Sequence, residues 1–185
     1  MQNQLSVILA GRFQPLHRGH LAVYKHLCQK FDIDSVAFAS SNKQGPTSPL
    51  NFEQKKYIAC NFFEVPEDKF LYCKIPYVPD EILNKTDKTK TVSIICLGSK
   101  DQSRLTNNKH YELLPNIYNL DTLKTSDIVS YIYISPMFAN SCSATSIREQ
   151  FLDNSLTYKY KRQLFVKLFG KIDQDIFDTL TLHQK

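Results

Sequence analysis

Short apolar runs alternate with amphipathic stretches along most of this chain, and that alternation restricts its fold more than any other feature. The runs are LSVILAG (5–11), SVAFAS (35–40), KFLYCKIP (69–76), TVSIICLG (91–98) and IVSYIYIS (128–135). Each is short, apolar and bounded by turn formers or polar residues, which predicts five strands. Between and after them lie helical patterns. RGHLAVYKHLCQKF (18–31) spaces Leu21, Tyr24, Leu27, Cys28 and Phe31 along one helical face. NFEQKKYIACNFF (51–63) opens on Asn51, a good N-cap, and PDEILNK (79–85) opens on Pro and two acids. CSATSIREQFLDN (142–154), LTYKYKRQLFVKLFG (156–170) and DQDIFDTLTL (173–182) complete the set, with Gly170 as a stop signal.

Strands that alternate with helices build an α/β domain on a parallel sheet, because a parallel connection needs a crossover helix. The expected architecture is Rossmann-like: a parallel five-stranded sheet, helices on both faces and C-terminal helices packed on it. The 185 residues suit a single domain, 1–185, with 155–185 as a C-terminal helical extension. SNKQGPTSP (41–49) is a polar loop, and 99–127 is polar and irregular, with no clear period.

Charge and cysteine usage narrow the function class. The 23 basic and 18 acidic residues leave a net charge of +5, and the cations are scattered rather than gathered on one helix or tail. A nucleic-acid partner is therefore not expected, whereas a small anionic ligand is compatible. The five cysteines form no CxxC pair, and their odd number argues against a disulfide framework. Reduced thiols and a cytoplasmic location follow as expectations, the host cytoplasm if the chain is viral. No signal peptide and no run long enough to span a membrane are apparent, so no membrane partner is expected.

In open parallel sheets, ligands bind beyond the carboxyl ends of the strands. The turn after the first predicted strand reads GRFQPLHRGH (11–20), which is neither a dinucleotide-binding glycine loop nor a P-loop. It nevertheless supplies parts for holding phosphate. Gly11 permits a close turn, Arg12 offers a forked cation, and Phe13 places a backbone amide beside it. Gly19 falls at a helix N-terminus, where open amides and the positive dipole end attract anions. His17 and His20 can donate to phosphate oxygens. Later in the chain, Ser143, Thr145 and Arg148 of SATSIR place hydroxyls and a guanidinium at another helix start. Lys43, in the polar loop, is a further candidate cation. The competing structural readings are a pair of helix-capping histidines, an ordinary N-cap around Thr145, a surface arginine at Arg148 and a solvated Lys43.

GRFQPLHRGH resembles the signature of the HxGH nucleotidyltransferase superfamily, whose shared motif is present here as His17, Arg18, Gly19 and His20. The longer form is most similar to archaeal-type nicotinamide-nucleotide adenylyltransferases, and the chain also resembles bacteriophage-encoded members. The resemblance implies that the two histidines hold a triphosphate and stabilise the transition state. SATSIR resembles the superfamily's SSTxxR element, with Ala144 in place of a second serine, and implies that Ser143, Thr145 and Arg148 contact the β- and γ-phosphates. SPLNFEQK (48–55) resembles a segment that carries arginine where Lys55 stands here. LGSKD (97–101) resembles a Gly-Ser-x-Asp nucleotide-binding segment, which adds Gly98 and Asp101. Asp101 as a simple helix cap is the bland alternative.

The expected activity is transfer of AMP from ATP to a small phosphorylated acceptor, nicotinamide mononucleotide first, with pyrophosphate released. Magnesium is the expected cofactor with ATP as co-substrate, and no protein metal ligands are assigned. A cytidylyltransferase using CTP and a phosphorylated alcohol stays open, as does a non-catalytic nucleotide-binding module. A homo-oligomer built on the final helices also stays open.

Overall fold

The computed structural model describes residues 3–99, 101, 105, 109–138 and 143–181. Six strands form one sheet: β1 (Gln4–Ala10), β2 (Val36–Ser40), β3 (Phe70–Tyr72), β4 (Thr91–Leu97), β5 (Tyr111–Leu113) and β6 (Ser130–Ile134). Their order is β3-β2-β1-β4-β6-β5. The β1–β2, β1–β4, β4–β6 and β5–β6 pairings are all parallel, with Val7 opposite both Val36 and Ile94. The parallel α/β architecture expected from the alternation is therefore present, with one strand more than the five predicted. The extra strand, β5, lies in the stretch that carried no period.

The chain forms two compact units. The first comprises Met1–Gly11, Val23–Ser41 and Leu71–Met137 and holds the sheet. β4 is buried along its whole length, as expected for a strand covered on both faces, and it reads as an almost continuous apolar run. Ile8, Ala10, Ala39, Ile95, Leu97 and Ile132 pack together around it, joined by Cys73 and Leu105. Tyr24 stacks on Phe38, with ring centroids 4.8 Å apart. Cys28, Cys60, Cys73 and Cys96 form no disulfide among the described residues, and Cys142 lies outside them. Burial pushes the Cys96 thiol up to about 12, and burial together with a hydrogen bond to Glu81 does the same to Cys73, so neither is a ready nucleophile.

Ser93, in the middle of β4, is fully buried, and its Oγ has no hydrogen-bond partner among the described residues. An unmet buried hydroxyl costs free energy that a methyl group does not. Ser93→Ala is therefore expected to raise stability by about 1 kcal/mol. Urea unfolding checks this: the midpoint should move up, and an equal downward move would show that the hydroxyl is partnered.

The second unit comprises Arg12–Ala22, Asn42–Phe70 and Phe138–Lys185. It includes the first turns of α1 (Arg18–Lys30), then α2 (Phe52–Phe63), and later α4 (Ala144–Leu152), α5 (Tyr158–Phe169) and α6 (Gln174–Thr181); the short α3 (Asp80–Leu83) belongs to the first unit. α2 starts on a full capping box, in which Asn51 accepts from the Gln54 N–H and the Gln54 side chain accepts from the Asn51 N–H. Phe151, Phe165 and Phe177, from three different helices, are fully buried and meet at ring distances of 5.7–6.3 Å. The two final helices thus supply core to this unit through Phe165 and Phe177. Gly170 ends α5 at φ 86°, where its N–H caps the Val166 carbonyl. Among the described residues no helix is long and apolar enough to cross a membrane.

Candidate active site

The GRFQPLHRGH segment leaves β1 at Gly11, whose N–H donates to the Ala39 carbonyl at 3.1 Å. From Arg12 to Ala22 the chain belongs to the second unit. Phe13 adopts φ 45°, a left-handed conformation unusual for a bulky residue and one that stores backbone strain. Its ring meets His20 edge-on at 5.0 Å and Phe70 at 5.8 Å, and Phe70 meets Phe52 at 5.7 Å. The sequence singled out only the Phe13 backbone amide. The ring is a wall for the second histidine, a role that no local pattern announces.

The two histidines form a capping box of their own at the start of α1. His17 Nδ1 accepts from the Gly19 N–H at 3.1 Å, and His20 Nδ1 accepts from the His17 N–H at 3.3 Å. The His17 carbonyl takes the His20 N–H at 2.9 Å. This is a variant of the reciprocal Ser–Glu pattern of ordinary capping boxes, in which His17 takes the second helical N–H, that of Gly19, rather than the third. The Gly19 amide, expected to be open, is therefore committed to His17.

The arrangement has a chemical consequence. A ring whose Nδ1 accepts must carry its proton on Nε2, so the hydrogen-bond network assigns the neutral Nε2–H tautomer to both histidines. The rings lie 3.9 Å apart at 33°, too close for both to be charged cheaply. Burial lowers the His17 pKa to about 4, and burial followed by the neighbouring His17 holds His20 well below its usual range. No described residue accepts from either Nε2. The pair thus offers two N–H donors to an acceptor-rich ligand.

Arg148 lies in α4, one turn after Thr145. Ser143 caps that helix by accepting from the Ser146 N–H at 3.0 Å. Arg148 is 8% exposed; its Nη2 donates to Thr145 Oγ1 at 3.2 Å and its Nη1 to the Gln14 carbonyl. Burial, and then the charge of Arg12, lowers its pKa; Glu149 acts in the opposite direction. No described carboxylate forms a salt bridge with it. A buried guanidinium whose hydrogen-bond partners are neutral, with a second guanidinium nearby, has charge left with which to attract an anion.

The structure therefore brings Arg12, Phe13, His17, Gly19, His20, Ser143, Thr145 and Arg148 into one unit, with Gln14 tying Arg148 to the loop. Lys43 is in the same unit, exposed in the loop after β2. Gly11, Gly98 and Asp101 belong to the first unit. There the Gly98 carbonyl accepts from the Asp101 N–H at 2.9 Å, and a Cβ on Gly98 would meet nothing within 4 Å. Two residues escaped the list drawn from the sequence. Gln14 is 2% exposed inside the motif, and Lys55 is 1% exposed in the first turns of α2. Burial lowers the Lys55 pKa to about 8. The signal for Lys55 was its place opposite an arginine in a related segment.

Residues 8–150 match the family model described as cytidylyltransferase-like, which covers well over half of the chain. No curated protein matches the sequence. The chain belongs to the cytidylyltransferase-like family, and that membership supports a nucleotidyltransferase activity in general.

Proposed function

We propose that this cytidylyltransferase-like chain transfers AMP from ATP to a small phosphorylated acceptor, with nicotinamide mononucleotide the favoured one. In that reaction an acceptor phosphate oxygen attacks the α-phosphorus, a new P–O bond forms, the α–β bridge bond breaks and pyrophosphate leaves. Such a displacement asks the protein for alignment and charge stabilisation rather than covalent chemistry. His17 and His20 donate through Nε2–H to phosphate oxygens as negative charge shifts toward the leaving group. Arg148, aided by Arg12, takes the distal phosphates, with the Ser143 and Thr145 hydroxyls at the same helix start. Lys43, in the same unit, is a further proposed nucleotide-binding cation, and the Phe13 ring holds His20.

The observation that carries this reading is Arg148, buried and without an ion-pair partner among the described residues. Among those residues no three His, Cys, Asp or Glu side chains converge to hold a metal. The magnesium we propose would enter with the triphosphate as part of the substrate.

The description of the matching family favours a second reading, in which CTP replaces ATP and a phosphorylated alcohol is the acceptor. Calorimetric titration with ATP and with CTP, on wild type and Arg148→Met, tests both. ATP should bind wild type, and Arg148→Met should weaken it about 10- to 100-fold, the loss of one charge-assisted hydrogen-bonding group. Preference for CTP would move the protein to the second reading. Equal ATP affinity in both proteins would overturn the role given to Arg148.

A further inference from the structure

We infer that Gln14 is a positioning residue that aims Arg148 at the reacting phosphates without neutralising it, an inference that rests on the site assignment proposed above. Three hydrogen bonds converge on this one residue. Its Nε2 donates to the Leu50 carbonyl at 2.7 Å, and its Oε1 accepts from the Leu50 N–H at 3.0 Å. The carboxamide thus pairs with both backbone groups of one residue, as a neighbouring strand would. Leu50 is fully buried and directly precedes Asn51, the cap of α2. The Gln14 backbone carbonyl, in turn, accepts from Arg148 Nη1. One residue therefore joins the loop before α1, the start of α2 and the guanidinium of α4, all inside the second unit.

The choice of acceptor matters. A carboxylate facing Arg148 would fix its direction but cancel much of its charge. A backbone carbonyl fixes the direction and leaves the charge for a ligand. A carbonyl in a loop is a poor anchor unless its peptide is held, and the two-point grip on Leu50 holds it. Phe13, just before it in the chain, sits at a strained φ of 45°, so the backbone that leads into Gln14 is itself held in an uncommon conformation. Gln14 touches neither the triphosphate nor the acceptor in this account. It acts through Arg148.

A residue that only supports the fold would slow the enzyme whatever stands at position 148; one that works through Arg148 would not. The test is a double-mutant cycle of Gln14→Ala with Arg148→Lys, read by kcat and KM for ATP, with the exchange of the Arg148 guanidinium protons with water followed by nitrogen-15 NMR. Lysine keeps the charge but lacks the fork that reaches both Gln14 and Thr145. Gln14→Ala should lower kcat/KM about tenfold in the wild-type background and less than twofold in Arg148→Lys. Its guanidinium protons should exchange at least about tenfold faster than in wild type, as expected when a buried hydrogen bond is released. If Gln14→Ala does not fold, Gln14→Asn, which keeps the amide but is one methylene short, serves in its place.

Equal fold losses in both backgrounds would overturn the inference, and so would unchanged guanidinium exchange in a folded variant. If wild type neither binds nor turns over a triphosphate while exchange still quickens in Gln14→Ala, the proposed function fails and the aiming of Arg148 by Gln14 stands.

Discussion

His20→Gln is expected to stay folded and to lose about 100- to 1,000-fold in turnover, the usual cost of removing one donor aimed at transition-state charge. The substitution is chosen from the geometry. His20 is the third residue of α1 and completes a capping box by accepting the His17 N–H. Glutamine at that position does the same through its side-chain oxygen. The helix start is kept, and what disappears is the Nε2–H donor and the ring against Phe13. Lost packing on Phe13 is expected to cost about 1 kcal/mol, within the range for an edge-on aromatic pair. Chemical denaturation and steady-state turnover, measured on the same preparation, separate the two roles. Full turnover in a folded His20→Gln protein would reduce His20 to a helix cap.

Acid is expected to weaken the protein through His17. Its pKa is about 4 when folded and 6.5 when unfolded, so between those values the unfolded chain binds more protons than the native one. Stability therefore falls as pH drops through that window and is unaffected by this residue above it. The gap corresponds to roughly 3 kcal/mol once both values are passed. His20, lowered by burial and by His17, acts in the same direction. His17→Asn, which keeps an N-cap without a titrating ring, should flatten the dependence. Urea midpoints from pH 7 to pH 4 check this, and an equally steep loss in His17→Asn would remove His17 as its source. A bound polyphosphate reverses the balance, because its negative charge favours the charged imidazoles. Triphosphate affinity should therefore rise as pH falls toward the folded His17 value of about 4.

The parts legible from sequence were those set by local spacing. His17 and His20 stand three apart, and a capping box needs only that distance and a helix start. Asn51 was visible as an N-cap for the same reason, although its reciprocal partner Gln54 was not singled out. The stop of the fifth helix at Gly170 was visible too, but its buried face, built on Phe165 and Phe169, was not singled out. What escaped depends on distant partners or on exposure. β5 is three residues long in a polar stretch, and its Leu113 is 57% exposed, so no apolar alternation marks it. β3 was predicted over 69–76 but spans Phe70–Tyr72, because the Lys74 N–H turns to the Glu81 carboxylate instead of a strand partner. Gln14 looks like any polar loop residue until Leu50, 36 positions away, is seen beside it. The left-handed turn at Phe13 directs a ring that spacing alone places nowhere.

The decisive assay is pyrophosphate release with magnesium, measured for ATP and CTP against a panel of phosphorylated acceptors that includes nicotinamide mononucleotide. Release is expected with ATP and that mononucleotide, and is expected to stop when ATP, the mononucleotide or magnesium is left out. Absence of release with every pair, from protein that is folded and binds triphosphate, would contradict the proposed function and leave a nucleotide-binding module in its place.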